Sequence, residues 1–263
     1  MYLAFYGLKK KPFNLNPDPQ FLFMSEDHRE ALSHMFYGIT QGEWFIAITG
    51  DIGIGKTTIC YELVEKLDDE TLTAVLLNPL QCYRLFADPL MFAEESKREL
   101  PVSFNHFIFQ QLDQGRRVIL IIDEAQHLSP SLLERIRLYS NVEARDENFL
   151  QIILVGQLEL MDKLHSPELR ALNQRISIRH QINPLDRGEI ENYIAHRLTV
   201  AGACENITFS PSALKYIYKY SRGIPRVINL VCDRTLLSGY INKTSYITKK
   251  VVKQGIESLE GRG

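Results

Sequence analysis

The chain has 263 residues, 45% of them hydrophobic, which is enough for one large domain or two modest ones. Its formal net charge of −2 excludes the overall basic field that drives non-specific nucleic-acid binding, although it is compatible with a local basic patch. No stretch approaches the roughly 18 consecutive apolar residues of a membrane span, and no apolar signal core follows the early lysine cluster at residues 9–11. We therefore expect a globular, cytoplasmic protein.

The four cysteines, Cys60, Cys82, Cys204 and Cys232, lie far apart in the chain. Their spacing fits neither a zinc site nor a thioredoxin-like motif. We expect reduced thiols that are mostly buried.

The chain begins with a leader, residues 1–24, that is rich in proline, asparagine and aromatic residues. This composition predicts an extended segment held by its aromatic side chains rather than a helix. From Ser25 to Gln41 the pattern becomes helical, because Ser25 can cap a helix and apolar residues then recur along one face. Gly42 is expected to end this helix before the next strand.

The most informative stretch is GDIGIGKT, Gly50 to Thr57, which satisfies the pattern G-x-x-x-x-G-K-[ST]. It follows an apolar run at residues 45–48 and precedes a helix-like segment at residues 58–67. A buried strand that enters a glycine-rich turn and opens a helix is the context in which this pattern indicates a phosphate-binding loop. The residues predicted to bind the phosphates are Gly50, Asp51, Ile52, Gly53, Ile54, Gly55, Lys56, Thr57 and Thr58.

The residue types explain how such a loop would work. Backbone N–H groups wrap a phosphate closely only where no Cβ intervenes, which accounts for Gly50, Gly53 and Gly55. The motif places Lys56 to reach the β- and γ-phosphates and the Thr57 hydroxyl to bind Mg²⁺. The sequence therefore predicts binding of a Mg-nucleotide.

Two adjacent acids follow a later strand. Residues 73–77 predict a second buried strand, and residues 118–122 predict a third that ends in Asp123 and Glu124. An NTPase uses one carboxylate to hold Mg²⁺ through water and a second to orient and deprotonate the attacking water. We assign the first role to Asp123 and the second to Glu124. The alternative is that the two acids merely mark the solvent end of a strand.

A fourth strand, predicted at residues 150–155, is followed by Gln157. A polar side chain at this point can sense the γ-phosphate and the attacking water, or it can simply end the strand. The next segment carries Arg170 and Arg175. An arginine here could act on the nucleotide of a neighbouring subunit, although exposed arginines are more often only solvated.

The last third of the chain lacks strand patterns and is predicted to be a small helical bundle. Asp186 and Glu189 have the spacing of a capping box, which indicates the start of a helix. Pro211 and Pro225 mark the first turns of two further helices, and Thr248 precedes the last one.

The order of these motifs resembles that of AAA+ ATPases. Six stretches look more narrowly like the general secretion pathway protein A (ExeA/GspA) family and its relatives in pilus biogenesis and in exopolysaccharide or exosortase loci. They are YGLKKKPFNLNPDPQFLFMSEDHREAL, ITGDIGIGKTT, IIDEAQHLSPSLLERIRLYSN, ILVGQLEL, LRALNQRI and YSRGIPRVINLVCDRTLL. Together these stretches extend over nearly the whole chain.

The resemblance implies a P-loop α/β fold with a parallel five-stranded sheet flanked by helices. It implies a nucleotide-binding domain at residues 1–183, leader included, and a helical lid at residues 184–263. It also implies that ATP binds at the subunit interface of a ring or similar oligomer. Secretion members of this family continue beyond the lid with a membrane span and a peptidoglycan-binding domain. A chain ending at Gly263 is then either the cytoplasmic part of such a protein or a stand-alone relative.

The resemblance also implies roles for single residues. Lys56 and Thr57 match the Walker A pair, and Asp123 and Glu124 match Walker B. Gln157 falls at the sensor 1 position.

Three arginines complete the implied set. Arg175 matches the arginine finger, with Arg170 as the reserve candidate. Arg226, in the turn Gly223-Ile224-Pro225-Arg226, matches sensor 2, which contacts the γ-phosphate from the lid. Leu158 replaces a proline that is usual in the family, and we expect little effect from this change.

We therefore expect an Mg-ATP-dependent ATPase whose nucleotide-controlled assembly helps to build a bacterial envelope secretion system, reaching the inner membrane through a partner. Two alternatives stay open. One is a DNA-associated AAA+ switch of the transposition or replication type, for which the basic residues at 248–253 and 9–11 are the support. The other is a regulatory nucleotide binder that hydrolyses slowly. We suggest that the segment 14–23 contacts the adenine base.

Overall fold

The structure is a computed structural model that describes residues 2–16, 18–68, 70–79, 81–82, 110–111, 114, 116–140, 150–203 and 207–261. The chain divides into two compact units. We call residues 28–50 and 59–182 the sheet unit, and residues 1–27, 51–58 and 183–263 the helical unit.

The sheet unit contains five parallel strands in the order β2-β3-β4-β1-β5. They are β1 (Phe45–Gly50), β2 (Thr71–Leu76), β3 (Arg117–Ile122), β4 (Leu150–Gly156) and β5 (Ile176–Ile182). The three inner strands are apolar and buried along almost their whole length, as expected where both faces of a parallel sheet are covered. The parallel five-stranded sheet predicted from the sequence is confirmed.

Helices precede or follow most of these strands. After a short first helix, α1 (Tyr2–Tyr6), they are α2 (Glu26–Thr40), α3 (Lys56–Lys66), α4 (Pro130–Ser140), α5 (Glu159–Leu164) and α6 (Arg170–Arg175). Among the described residues, short 3₁₀ turns lie at Pro19–Phe21, Ala125–His127 and Pro167–Leu169. The helix predicted from Ser25 to Gln41 is therefore present with nearly the expected bounds.

A buried glutamine fixes the end of α2 to the centre of the sheet. Gln151 lies in β4, and its Nε2 donates to the carbonyl oxygens of Gly38 at 3.3 Å, Ile39 at 3.3 Å and Glu43 at 2.9 Å. The Gly38 and Ile39 carbonyls also accept the N–H groups of Glu43 and Gly42, so Gln151 adds a second donor to the turn that ends α2. The position of Gln151 in an apolar strand is explained by these bonds, which satisfy its buried amide.

Three of the four cysteines are described, and Cys60, Cys82 and Cys232 are free and buried. Burial raises the pKa of Cys82 to about 12 and also raises the pKa of Cys232. These two thiols therefore stay protonated and unreactive near neutral pH. The prediction of buried, reduced thiols is confirmed for the three, and Cys204 lies outside the described residues.

The helical unit contains α7 (Glu189–Val200), α8 (Pro211–Ser221), α9 (Pro225–Ile241) and α10 (Lys249–Leu259), with two short paired strands, β6 (Thr208–Phe209) and β7 (Tyr246–Ile247). The predicted capping box is present, because the Glu189 N–H donates to Asp186 Oδ1 at 2.8 Å and the Asp186 N–H donates to Glu189 Oε2 at 3.1 Å. In the part of the chain that the structure describes, no helix has the length and apolar character needed to cross a bilayer.

The leader differs from the prediction in one respect. Residues 2–6 form the helix α1, whereas the sequence predicted an extended segment throughout. The first proline is Pro12, so nothing in α1 blocks a helical turn, and the Tyr6 hydroxyl donates to the carbonyl oxygens of Leu236 at 3.2 Å and Thr244 at 3.1 Å.

The aromatic side chains hold the leader as predicted. Tyr6, Phe13 and Phe21 are buried in one hydrophobic cluster with side chains of α7 to α10. The domain boundary between residues 183 and 184 stays a prediction. The leader, which the sequence analysis grouped with the nucleotide-binding domain, packs within the helical unit.

A buried arginine completes this packing. Arg197 on α7 donates from Nε to the Pro12 carbonyl at 2.6 Å and from Nη2 to the Asn14 carbonyl at 3.1 Å. Its guanidinium also lies 4.9 Å from the centroid of the Phe21 ring. Arg197 thus binds leader backbone and a leader aromatic ring at once, which a lysine ammonium cannot do with the same geometry.

We expect Arg197→Met to lower the free energy of unfolding by about 2–4 kcal/mol, because two leader carbonyls lose their donor inside the protein. The measurement is urea unfolding followed by far-UV circular dichroism. Arg187→Met, at an exposed position on the same unit, is the control and should change stability by less than about 0.5 kcal/mol. Equal midpoints for the two variants would show that Arg197 does not anchor the leader.

Candidate active site

Three neighbouring strands of the sheet unit end at the same edge. β1 ends at Gly50, β3 at Ile122 and β4 at Gly156, and β4 pairs with both of the others in parallel. Because the carboxyl ends of parallel strands meet at one edge, the residues that follow β3 and β4 are neighbours there. This is how Asp123, Glu124 and Gln157 come together.

The phosphate loop begins directly after β1, within the helical unit. Gly53 and Gly55 adopt positive φ angles of 79° and 109°, which an L-residue with a Cβ rarely tolerates. Helix α3 starts at Lys56, and the Lys56 ammonium, only 7% exposed, donates to the Asp51 carbonyl at 2.9 Å. Thr57 and Thr58 follow in the first turn of α3 and are half-buried. The loop therefore has the backbone that a phosphate cradle requires.

Arg226 lies against this loop. The Arg226 N–H donates to the Gly53 carbonyl at 3.1 Å. A Cβ on Gly53 would come within 2.5 Å of the Arg226 Cβ, so the loop glycine also makes room for the first turn of α9. The structure thus brings Arg226, predicted as a lid residue, together with the predicted phosphate loop.

Asp123 and Glu124 differ in their surroundings. Asp123 is 3% exposed, its N–H continues the strand ladder by donating to the Leu76 carbonyl, and its Oδ1 accepts the Glu124 N–H at 2.8 Å. Glu124 has a left-handed backbone with φ 54° and ψ 33°, which is uncommon for a residue with a side chain. Such strain is typical of functional positions, and here it directs the Glu124 side chain toward the end of β4.

The Glu124 carboxylate is held by two glutamines. Its Oε2 accepts from Gln126 Nε2 at 2.5 Å and from Gln157 Nε2 at 3.4 Å. Gln126 also accepts the Gln157 N–H at its Oε1, at 3.0 Å. The sequence motifs point to Gln157 but not to Gln126, whose only sign in the sequence is a polar side chain two residues after Glu124.

Arg175 lies at the opposite edge of the sheet, where the strands begin. β5 begins at Ile176, which is paired with Phe45 at the start of β1. The Arg175 guanidinium lies 5.2 Å from the centroid of the Trp44 ring, and its Nη1 donates to Ser140 Oγ at 3.5 Å. Since β1 has six residues with a rise of about 3.3 Å each, roughly 15–20 Å separate the two edges. Arg175 is therefore not among the residues near Glu124 in its own chain, and Arg170 is exposed on α6.

Comparison with known proteins agrees with this geometry. A family described as AAA domain matches residues 39–164, which include the phosphate loop, both acids and Gln157. General secretion pathway protein A of Aeromonas hydrophila is 40% identical over 247 residues, or 91% of this chain. The chain belongs to the AAA+ family and is a relative of general secretion pathway protein A. It spans 45% of the length of that relative.

Solved AAA+ structures share the fold. The ORC2 protein of Aeropyrum pernix aligns with 97% of this chain and 72% of its own, with a TM-score of 0.69 and 14% identity. Cdc6p of Pyrobaculum aerophilum aligns with 92% of this chain and 70% of its own, with a TM-score of 0.65 and 14% identity. The RuvB motor of Thermotoga maritima aligns with 89% of this chain and 69% of its own, with a TM-score of 0.56 and 21% identity. At these identities the similarity concerns the fold alone.

We expect Gly53→Ala to weaken Mg-ATP binding at least about tenfold, because the new methyl group strains the AAA+ phosphate loop and displaces Arg226. A fluorescent ATP analogue titrated against the purified chain measures this affinity. Gly261→Ala is the control, since Gly261 also has a positive φ of 70° but a Cβ there meets nothing within 4 Å. Unchanged affinity in Gly53→Ala would mean that the loop does not bind the phosphates.

Proposed function

We propose that this chain is an Mg-dependent ATPase whose nucleotide-controlled oligomerisation helps to assemble a bacterial envelope secretion system. The observation that carries the ATPase assignment is the carboxylate of Glu124, oriented by two amides at the sheet edge from which the phosphate loop starts. A nucleotide binder without hydrolysis has no need for a carboxylate oriented in this way. AAA+ membership itself implies nucleotide binding.

The residues of the loop and the strand ends have distinct tasks in this proposal. Loop N–H groups and Lys56 bind the phosphates, and the Thr57 hydroxyl and the Asp123 carboxylate are the hard oxygen ligands that suit Mg²⁺. Mg²⁺, when bound, neutralises charge on the phosphates. Glu124 orients and deprotonates the attacking water, and Gln157 holds the same water or a γ-phosphate oxygen.

The two arginines would act on different nucleotides, one in the same chain and one in a neighbouring subunit. Arg226, bonded to the loop through its own N–H, responds to the γ-phosphate within its own chain. Arg175 lies too far from Glu124 of the same chain to help there, so it would act on the nucleotide of a neighbouring subunit. Trp44 and Ser140 hold its guanidinium in a fixed direction, and a preoriented cation at that position can neutralise charge on the transferring phosphoryl group. Arg170 remains the reserve candidate.

The cellular role rests on the relative that is 40% identical over most of this chain. We propose that the secretion machinery is the partner, and that the protein acts in the cytoplasm and contacts the inner membrane through that partner. The AAA domain supports a nucleotide as the ligand, and we propose that this nucleotide is ATP.

The DNA-associated switch is the alternative function. The basic residues that favour it include the lysines at the start of α10. However, Lys249 lies 5.3 Å from the centroid of the Tyr216 ring, and Lys253 lies 3.7 Å from Glu257. Two of these cations are thus already engaged within the helical unit. We therefore favour the secretion role and keep DNA as one arm of the test below.

Lys56→Ala and Glu124→Gln should separate binding from hydrolysis. We expect Lys56→Ala to lose most Mg-ATP affinity, and Glu124→Gln to keep that affinity while its turnover number falls about 10²–10⁴-fold, because a missing general base affects only the chemical step. Phosphate release and analogue binding are measured on the same preparations, with Glu65→Gln at an exposed position of α3 as control. A wild-type turnover number for Glu124→Gln would contradict the assignment of Glu124 as the base.

A mixing experiment tests Arg175. Lys56→Ala and Arg175→Ala should each be inactive alone, whereas their mixture should recover up to roughly a quarter of wild-type turnover, because Arg175 from one subunit completes the intact loop of another. Turnover of the wild type should also rise with protein concentration and be indifferent to duplex DNA. Arg170→Ala is the matched control and should retain activity. No recovery on mixing contradicts action between subunits, and strong stimulation by DNA favours the alternative function.

A further inference from the structure

Gln126 uses both ends of its side-chain amide within the candidate active site. Its Nε2 donates to Glu124 Oε2 at 2.5 Å, and its Oε1 accepts the Gln157 N–H at 3.0 Å. Gln126 is 8% exposed, so its amide is shielded from bulk water, and both bonds are partly buried. One amide therefore links the proposed base to the backbone of the proposed sensor.

Glu124 needs such a restraint. Its side chain is about 40% exposed, and its backbone occupies the left-handed region. A half-exposed carboxylate on a strained residue would otherwise sample several directions. The two bonds to Oε2 remove that freedom.

Gly156 makes the link sterically feasible. A Cβ at Gly156 would lie 2.8 Å from Gln126 Oε1 and 2.9 Å from Leu160 Cδ2. The Gln126 side chain therefore approaches the last residue of β4 as closely as a glycine allows. This contact therefore limits the position of Gly156, and with it the position of the next residue, Gln157.

We propose that Gln126 is a positioning residue for ATP hydrolysis, which holds the Glu124 carboxylate at a set distance from Gln157. The inference rests on the proposed function. Both bonds of the Gln126 side chain go to Glu124 and Gln157, so we expect its contribution in the chemical step and not in substrate affinity.

The backbone of this turn has a separate support. Lys163 on α5 donates from Nζ to the carbonyl oxygens of Gln126 and, at 2.7 Å, of Leu128. Neither bond involves the Gln126 side chain. Substitutions of that side chain are therefore expected to leave the turn in place.

The first test is Gln126→Met, which keeps the length of the side chain and removes both hydrogen bonds. We expect the turnover number to fall about tenfold to a hundredfold and KM for ATP to change by less than about twofold. Gln41→Met, the same substitution at an exposed glutamine of the sheet unit, should behave as wild type. An unchanged turnover number, or equal changes in turnover number and KM, would overturn the inference.

The second test is Gln126→Glu, which keeps the length of the side chain and replaces the amide donor with a second carboxylate. An ionised carboxylate cannot donate to Glu124 Oε2 and repels it, so we expect the turnover number to fall at least as far as in Gln126→Met, again with little change in KM. A turnover number like that of the wild type would mean that the hydrogen bond to Glu124 does not matter.

The third test does not depend on turnover. Amide exchange of Gln157, read by NMR or mass spectrometry, should become about tenfold faster in Gln126→Met, while the Val155 amide inside β4 keeps its protection. Unchanged exchange at Gln157 rejects the link itself. If the wild-type chain hydrolyses no ATP, the proposed function fails, and the exchange result still decides whether Gln126 holds the end of β4.

Discussion

The order of β3, β4 and β1 is the constraint on which the candidate site depends. The strands β3 and β4 are parallel neighbours, so the first residues past each of them meet at one edge whatever their separation in the chain. Asp123 and Gln157 are 34 positions apart in sequence yet follow adjacent strands. A slip of one residue in the pairing would turn the buried side chains of β3 or β4 to the opposite face, where their shapes would no longer match those of their packing neighbours. The packing of the sheet thus sets the geometry of the chemistry.

The sequence predicted those features that depend on local pattern. An apolar run, a glycine-rich turn and a helix identified the phosphate loop, and two acids after a strand identified Asp123 and Glu124. The capping box at Asp186 and Glu189 could likewise be predicted, since both of its hydrogen bonds join residues within one four-residue segment. Each of these motifs combines side-chain chemistry and backbone conformation in one short segment.

What the sequence did not predict depends on contacts that no local pattern encodes. Gln126 reaches Gln157 only because Glu124 takes a left-handed backbone and Gly156 lacks a Cβ, and the meeting requires β3 and β4 to be neighbours. The leader is likewise held by a contact between residues that are distant in the sequence. Its aromatic residues indicated anchoring, but the anchor includes Arg197, which is 185 positions away from its acceptor, the Pro12 carbonyl. Burial of an arginine against backbone carbonyls has no signature in the sequence around it.

The positions of the two arginines indicate why assembly and hydrolysis would be coupled. Arg226 is tied by a backbone hydrogen bond to Gly53, which directly links the loop to the first turn of α9. Arg175 is held by Trp44 at the edge of the sheet where β1 and β5 begin, a strand's length from the carboxylates. In the proposed function, a cation held at that distance from Glu124 of its own chain acts on the nucleotide of another chain. The proposed protein would then bind nucleotide as a single chain but hydrolyse it only after assembly, which is the behaviour that a nucleotide-controlled assembly factor requires.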